Sequence, residues 1–320
     1  MNLSFDEIKS IVFGSVCTTN EADGIHFCKK TAEQLAVWDG QSADLGRNAR
    51  ALTGVTLDFE TNSKTVFLEL SEECNLDVYL NGLPYRHRTL ACIMKLRLNG
   101  QRNRVTVYLP AHDTPPAIVQ LSVDDGAFVE PHYFDRKFLF MGDSITQGWD
   151  SVFMGERFDS MSYANIVSRH FNAESVICGV GGAYFLPESL TEMPFDPDTV
   201  IVAYGTNDYF RFSDHDFVLK NAEEYLTRAA ELYWGKRLFC ITPIYRDVGP
   251  QEQPKFDEYC ERLKEVVRRS AFTLIDGGEL VPHYSDYYAD KNLHPNALGF
   301  YIYGKNLIRE MEKAFGQQDS

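Results

Sequence analysis

Four short segments of this chain carry residues that could do chemistry. FMGDSITQGW offers the hydroxyl of Ser144 directly after a glycine turn, and GVGGAYF offers the uncovered backbone amides of Gly179, Gly181 and Gly182. GTNDYF offers the carboxamide of Asn207, and YADKNLHPNALGF offers an acid, Asp290, four positions before a base, His294. A serine hydroxyl is a weak nucleophile until a neighbouring base takes its proton, and the oxyanion formed by its attack on a carbonyl needs preorganised N–H donors. Serine, glycine amide, asparagine amide and histidine are together the parts for acyl transfer. Singly, each has an ordinary explanation: Gly-Asp-Ser as a turn or helix cap, Asn-Asp as a turn, and one histidine among eight as a packed or solvated imidazole. The choice depends on whether the fold brings the four segments to one place.

After Arg136 the apolar runs KFLFM, SVICG, TVIVAYG, RLFCITP and FTLID alternate with the amphipathic segments SYANIVSRHF, DHDFVLKNAEEYLTRAAELY and KFDEYCERLKEVVRRS, and NALGFYIYGKNLIREMEKAF follows. This alternation predicts an α/β fold with a parallel, doubly wound five-stranded sheet, which binds ligands at the carboxyl ends of its strands. Ser144 follows the first strand, Gly182 the second, Asn207 the third and His294 the fifth, so all four segments fall at that edge. A dinucleotide fingerprint is disfavoured, because Tyr184 stands where G-x-G-x-x-G needs its third glycine and the strand before it is the second.

From Ile25 to about Tyr133 the pattern is different: TGVTLDFET, KTVFLEL, LDVYLNGLPYRH, RVTVYLP and IVQLSVDDGAFVE read as short strands of period two. Asn81-Gly82 and Asp125-Gly126 are signals for tight hairpins, because these residues tolerate positive φ. An N-terminal antiparallel β-sandwich of jelly-roll type over residues 1–134, followed by a catalytic domain over residues 135–320, is expected.

Bulk properties exclude several classes. With 31 Lys+Arg against 46 Asp+Glu the net charge is −15, which disfavours nucleic acid and anionic membrane surfaces as partners. The seven cysteines are odd in number and form no C-x-x-C pair, as expected for reduced thiols rather than a disulfide framework or a zinc site. No apolar run reaches the roughly 20 residues that span a bilayer, and the first residues lack a signal-peptide pattern, so a soluble cytoplasmic protein is expected.

In that order and on those strands, GDSI, the glycine turn, GTND and HPN resemble the four sequence blocks of the SGNH hydrolase superfamily, the GDSL esterases and lipases, over about residues 137 to 313. The α/β-hydrolase pattern G-x-S-x-G does not fit, since Thr146 replaces its last glycine. The resemblance implies a flavodoxin-like sheet with Ser144 as nucleophile and His294 as general base. It implies an oxyanion hole of the Ser144 and Gly182 backbone N–H groups and the Asn207 side chain, with no metal or organic cofactor. Gly182 is preferred to Gly181 because it aligns with the last glycine of the family's turn, and Asp143 and Asp208 are expected to tie loops together. The family acid usually stands three positions before the histidine. Here that position is Lys291, so Asp290, one residue further back, is the expected orienter of His294, ahead of a backbone carbonyl and of Asp286.

The N-terminal strands, LDVYLNG among them, resemble the accessory domain of two-domain carbohydrate esterases. Trp149, Tyr184 and Tyr209 follow three of the catalytic blocks and could stack on sugar faces. The expected substrate is a small acylated sugar, and the expected activity is removal of a short acyl group. A lipid-type esterase, lysophospholipase or thioesterase is the enzymatic alternative, and a carbohydrate-binding protein with an inactive hydrolase domain is the other. Oligomeric state is not legible in the sequence.

Overall fold

The protein is described by a computed structural model covering residues 1–112 and 114–316. After a first helix, α1 (Phe5–Ser10), come β1 (Val12–Phe13), β2 (Cys17–Glu21) and β3 (Gly24–Cys28). Two helices follow, α2 (Ala32–Gln41) and α3 (Ala43–Ala49), then β4 (Thr56–Thr61), β5 (Thr65–Leu80), β6 (Leu83–Arg97), β7 (Asn103–Tyr108), β8 (Ile118–Val123) and β9 (Val129–Pro131). These nine strands form one curled antiparallel sheet in the order β1-β4-β7-β5-β8-β3-β2, with β6 on β5 and β9 on β4. Inward-facing residues such as Leu57, Phe59, Val66, Leu68, Val105, Val107 and Leu121 fill its interior. The Asn81-Gly82 turn, at φ +53° and +79°, joins β5 to β6 as a hairpin. Asp125-Gly126 makes a turn but no hairpin, because β9 crosses to β4 instead of returning along β8.

The second half runs β10 (Arg136–Gly142), α4 (Ser144–Gln147), a small hairpin of β11 (Val152–Phe153) and β12 (Glu156–Arg157), α5 (Tyr163–His170) and β13 (Ala173–Gly179). It continues with β14 (Thr199–Ala203), α6 (Thr206–Arg211), α7 (His215–Leu232), β15 (Arg237–Ile241), α8 (Gln253–Arg269), β16 (Thr273–Ile275) and α9 (Ala297–Gly316). The five strands of the second sheet are all parallel, in the order β13-β10-β14-β15-β16, the doubly wound arrangement the alternation predicted. Strand order reverses beside β10, so its two neighbours carry chain away in opposite directions and a crevice opens at their carboxyl ends.

Successive residues of β10 face opposite layers. Phe138 and Phe140 pack with Tyr163, Phe300 and Tyr303 of α5 and α9, whereas Leu139 and Met141 pack with Tyr225 of α7 and Leu263 of α8. The second layer also contains Trp38, Leu45 and Ala49 from α2 and α3. Those helices interrupt a stretch whose dominant signal is strand, and their own signals are local: Thr31 and Gln34 form a reciprocal capping box, and the Ser42 side chain caps α3. Their buried faces belong to the parallel sheet, not to the sheet in which they are inserted.

The same insertion seals an edge. β13 is an outer strand, and Lys29, buried at the end of β3, donates from Nζ to the Ile177 carbonyl at 2.8 Å. Among the described residues no helix is long and apolar enough to cross a membrane.

Candidate active site

β10 delivers Ser144. Its last residue, Gly142, is a position where a Cβ would meet Thr146 Oγ1 at 2.0 Å and the Ala203 carbonyl at 2.7 Å, so only glycine lets the chain turn against β14. Asp143 caps the short helix α4, its carboxylate accepting the Ile145 N–H at 2.9 Å, and Ser144 begins that helix, 5% exposed.

The glycine turn after β13 is held from two sides. Gly181 donates its N–H to Gln147 Oε1 at 2.7 Å, and its carbonyl accepts from Asn48 Nδ2 of α3 at 2.9 Å. Gly182 is exposed, with φ at +84°, a region costly for any residue with a Cβ. With the Gly181 amide committed to Gln147, Gly182 supplies the N–H suited to a ligand. Asn207 opens α6 beyond β14 and donates from Nδ2 to the Ala183 carbonyl at 2.9 Å, so one amide proton fixes it to the glycine turn and the second is left to serve a ligand. Asp208 accepts the Phe185 N–H at 2.9 Å, a tie from α6 to the same turn. Burial pushes the Asp143 and Asp208 carboxyls each up to about 7.

His294 lies on the loop before α9. Its Nε2 is 2.9 Å from Ser144 Oγ and its Nδ1 is 2.8 Å from Asp290 Oδ2. The other Asp290 oxygen accepts the backbone N–H groups of Asn292, Leu293 and His294 at 2.9, 2.7 and 3.1 Å. Lys291 adopts φ +65°, a left-handed residue that tightens the loop until an acid four positions back reaches the imidazole. Burial raises the Asp290 carboxyl, but the amides of Leu293 and Asn292 and the imidazole outweigh it, leaving Asp290 below its ordinary value. Asp286 faces away and pairs with Lys291 Nζ at 3.2 Å.

A second acid, which the spacing of the sequence blocks did not indicate, stands nearby. Asp150, itself at φ +63°, holds Oδ2 3.6 Å from His294 Nδ1. Donor atoms of Asp150, Asp290 and His294 lie within 4.8 Å of one another, as do those of Glu21, Asp23 and His26 on the N-terminal sheet. In the first group the imidazole is already bonded to a carboxylate and a hydroxyl, the arrangement of a proton-transfer chain rather than of a ligand set.

Of the three aromatic residues expected near substrate, Trp149 stands beside the site, its ring centroid 6.1 Å from that of His294 and its indole N–H buried without a partner among the described residues. The ring also meets His112, from the loop after β7, edge-on at 5.2 Å. Tyr184 and Tyr209 are placed otherwise. Tyr184 is buried, bonded through its hydroxyl to Gln41 at 2.6 Å, and Tyr209 is buried among His215, Phe256 and Tyr259 with its hydroxyl on Glu252 at 2.5 Å.

Residues 140–302 match the model of the GDSL-like Lipase/Acylhydrolase family. A search among curated proteins finds no match. Among solved structures, a salicylyl-acyltransferase from a tetracycline biosynthetic pathway superposes with a TM-score of 0.72 at 17% identity, over 95% of this chain and 94% of that one. A family two carbohydrate esterase from Cellvibrio japonicus gives a TM-score of 0.68 at 14% identity, over 98% and 97%. An acetyl xylan esterase from the rumen bacterium Butyrivibrio proteoclasticus gives 0.58 at 16% identity, over 84% and 93%. At these identities the likeness is one of fold across both halves of the chain.

Proposed function

The chain belongs to the GDSL-like lipase/acylhydrolase family, and we propose that within it the protein is a serine esterase that removes short acyl groups, acetyl foremost, from carbohydrate esters. The observation that carries this reading is the continuous chain from Ser144 Oγ through His294 to Asp290, with contacts of 2.9 and 2.8 Å. In this mechanism His294 Nε2 takes the hydroxyl proton as Ser144 attacks the ester carbonyl, and Asp290 stabilises the imidazolium that forms. The tetrahedral oxyanion is held by the N–H groups of Ser144 and Gly182 and the Asn207 side chain. His294 then protonates the departing alcohol, and water activated by the same imidazole releases the acid from the acyl-enzyme. No step calls for a metal or an organic cofactor.

Residues 135–320 carry the chemistry in this reading and residues 1–134 are accessory, apart from α2 and α3, whose Asn48 braces the glycine turn. Likeness in fold to carbohydrate esterases that share the N-terminal sheet supports a sugar ester as substrate, as does Trp149 beside His294. One observation favours a second reading, a lipid-type esterase. A mainly apolar groove of about 630 Å³, lined by Tyr79, Tyr85, Phe153, Phe158, Leu298 and Tyr301, lies against the first turn of α9, which follows His294 along the chain.

A chain-length series of p-nitrophenyl esters, run beside acetylated xylo- and gluco-oligosaccharides, separates the two. Acetate esters are expected to give the highest kcat/KM. A preference rising beyond about C6, as each added methylene found apolar surface, would select the lipid reading. Sugar binding with no ester turned over would leave a carbohydrate-binding protein.

A further inference from the structure

Resting on the esterase reading, we propose that Arg246 is a specificity-determining residue that engages a carboxylate carried by the substrate. It stands past the carboxyl end of β15, the one central strand whose end supplies no group to the mechanism above. Its loop is tied to the catalytic loop, the Asp247 N–H donating to the Asn292 carbonyl at 3.3 Å. On the other side its Nη1 is 3.5 Å from Thr206 Oγ1, the residue before Asn207. Arg246 thus spans the gap between the loop of Asp290 and His294 and the oxyanion carboxamide.

The guanidinium is underused. Arginine has five N–H donors, and among the described residues the only polar contact here is the long one to Thr206, while Nε is buried with no partner among them. Among the described residues it makes no ion pair. The acids whose charges it feels are both committed: Asp290 to His294 and three amides, and Asp143 to the Ile145 N–H, with its carboxyl at about 7. A half-buried cation with idle donors is costly unless something pairs with it. The guanidinium carbon lies 4.0 Å from the centroid of the exposed Phe210 ring, three residues along α6 from Asn207, a cation–π contact that restrains the side chain. The planar guanidinium fork can make two-point contact with a carboxylate, which a lysine could not reproduce. In a chain of net charge −15, such a local cation offsets the repulsion an anionic substrate would meet.

The carboxylate could sit on the acyl group or on the alcohol, and two pairs of substrates separate these: methyl hydrogen glutarate against methyl butyrate, and O-acetyl glucuronic acid against O-acetyl glucose. In one pair the wild type should favour the carboxylate-bearing ester in kcat/KM. Arg246→Gln should cut that preference about 10- to 100-fold, and Arg246→Lys should restore only part of it. If Arg246→Gln lowers both members of each pair by the same factor, the residue serves Asp290 electrostatically and the proposal is overturned. Should the wild type turn over none of the four esters, the esterase reading fails, and calorimetric binding of glutarate and glucuronate to Ser144→Ala decides the matter separately. Binding weakened at least about tenfold by adding Arg246→Gln supports the contact, and absent or unchanged binding refutes it.

Discussion

Asp290→Asn is nearly isosteric and should be among the most damaging single changes in the protein. In the wild type one carboxylate oxygen receives three backbone N–H groups, from Asn292, Leu293 and His294, and the other receives His294 Nδ1. An asparagine has one oxygen to offer, and three convergent amide donors admit no NH2 group, so the oxygen must stay with the backbone. The NH2 then faces Nδ1 and requires that nitrogen to accept. The imidazole proton moves to Nε2, which now donates to Ser144 Oγ when it should be taking that hydroxyl's proton. Wrong tautomer and lost negative charge together should lower kcat by about 10³–10⁴, or about 4–5.5 kcal/mol of barrier, with KM little changed. Asp290→Ala vacates the position and leaves Nδ1 free to turn toward Asp150, 3.6 Å away in the wild type, so it should be less impaired than Asp290→Asn. Hydrolysis of p-nitrophenyl acetate, with circular dichroism to verify folding, measures both. The reasoning fails if Asp290→Asn stays within about threefold of wild type while Ser144→Ala and His294→Ala lose orders of magnitude. A larger loss in Asp150→Asn would transfer the orienting role to Asp150.

Asn207→Ala removes the side-chain donor of the proposed oxyanion hole and should cost about 10²–10³ in kcat; an effect confined to KM would place the amide on the bound substrate instead. Lys29→Ala strips the buried Ile177 carbonyl of its donor and empties the space of the lysine stem. A loss of about 2–4 kcal/mol is expected in urea denaturation, and an unchanged midpoint would show that the edge of β13 is sealed by other means. Asp143 and Asp208 hold their protons up to about pH 7 when folded, through burial. Their contribution is therefore fully present below the unfolded carboxylate value near 4 and is lost as pH rises from there through about 7. The steepest slope should be about 1.4 kcal/mol per pH unit for each proton. Asp208→Asn should flatten stability across that range, and an unaltered slope would refute the assignment.

The residues of the proposed site are legible in the sequence because strand ends are local features. Apolar runs alternating with helical periodicity define five parallel strands, and the rule that ligands gather at their carboxyl ends picks out Ser144, Gly182, Asn207 and His294 without any knowledge of packing. The N-terminal strands and the Asn81-Gly82 hairpin are legible for the same reason. What surrounds those residues depends on contacts between distant segments. The caps of α2 and α3 are visible at Thr31 and Ser42, yet nothing local says that Trp38 and Leu45 pack on a sheet that begins about a hundred residues later. Tyr184, Tyr209 and Trp149 look alike beside their blocks, and only the packing buries the first two and leaves the third next to His294. Spacing put Asp290 one residue out of the usual place. The left-handed turn at Lys291 brings it back to 2.8 Å from the imidazole, and the same folding brings Asp150 to 3.6 Å from that nitrogen and Arg246 to 3.5 Å from Thr206, pairings that no local spacing encodes. Periodicity and capping are properties of neighbouring residues, whereas the meeting of three loops from different strand ends is fixed only when the layers that carry them have packed.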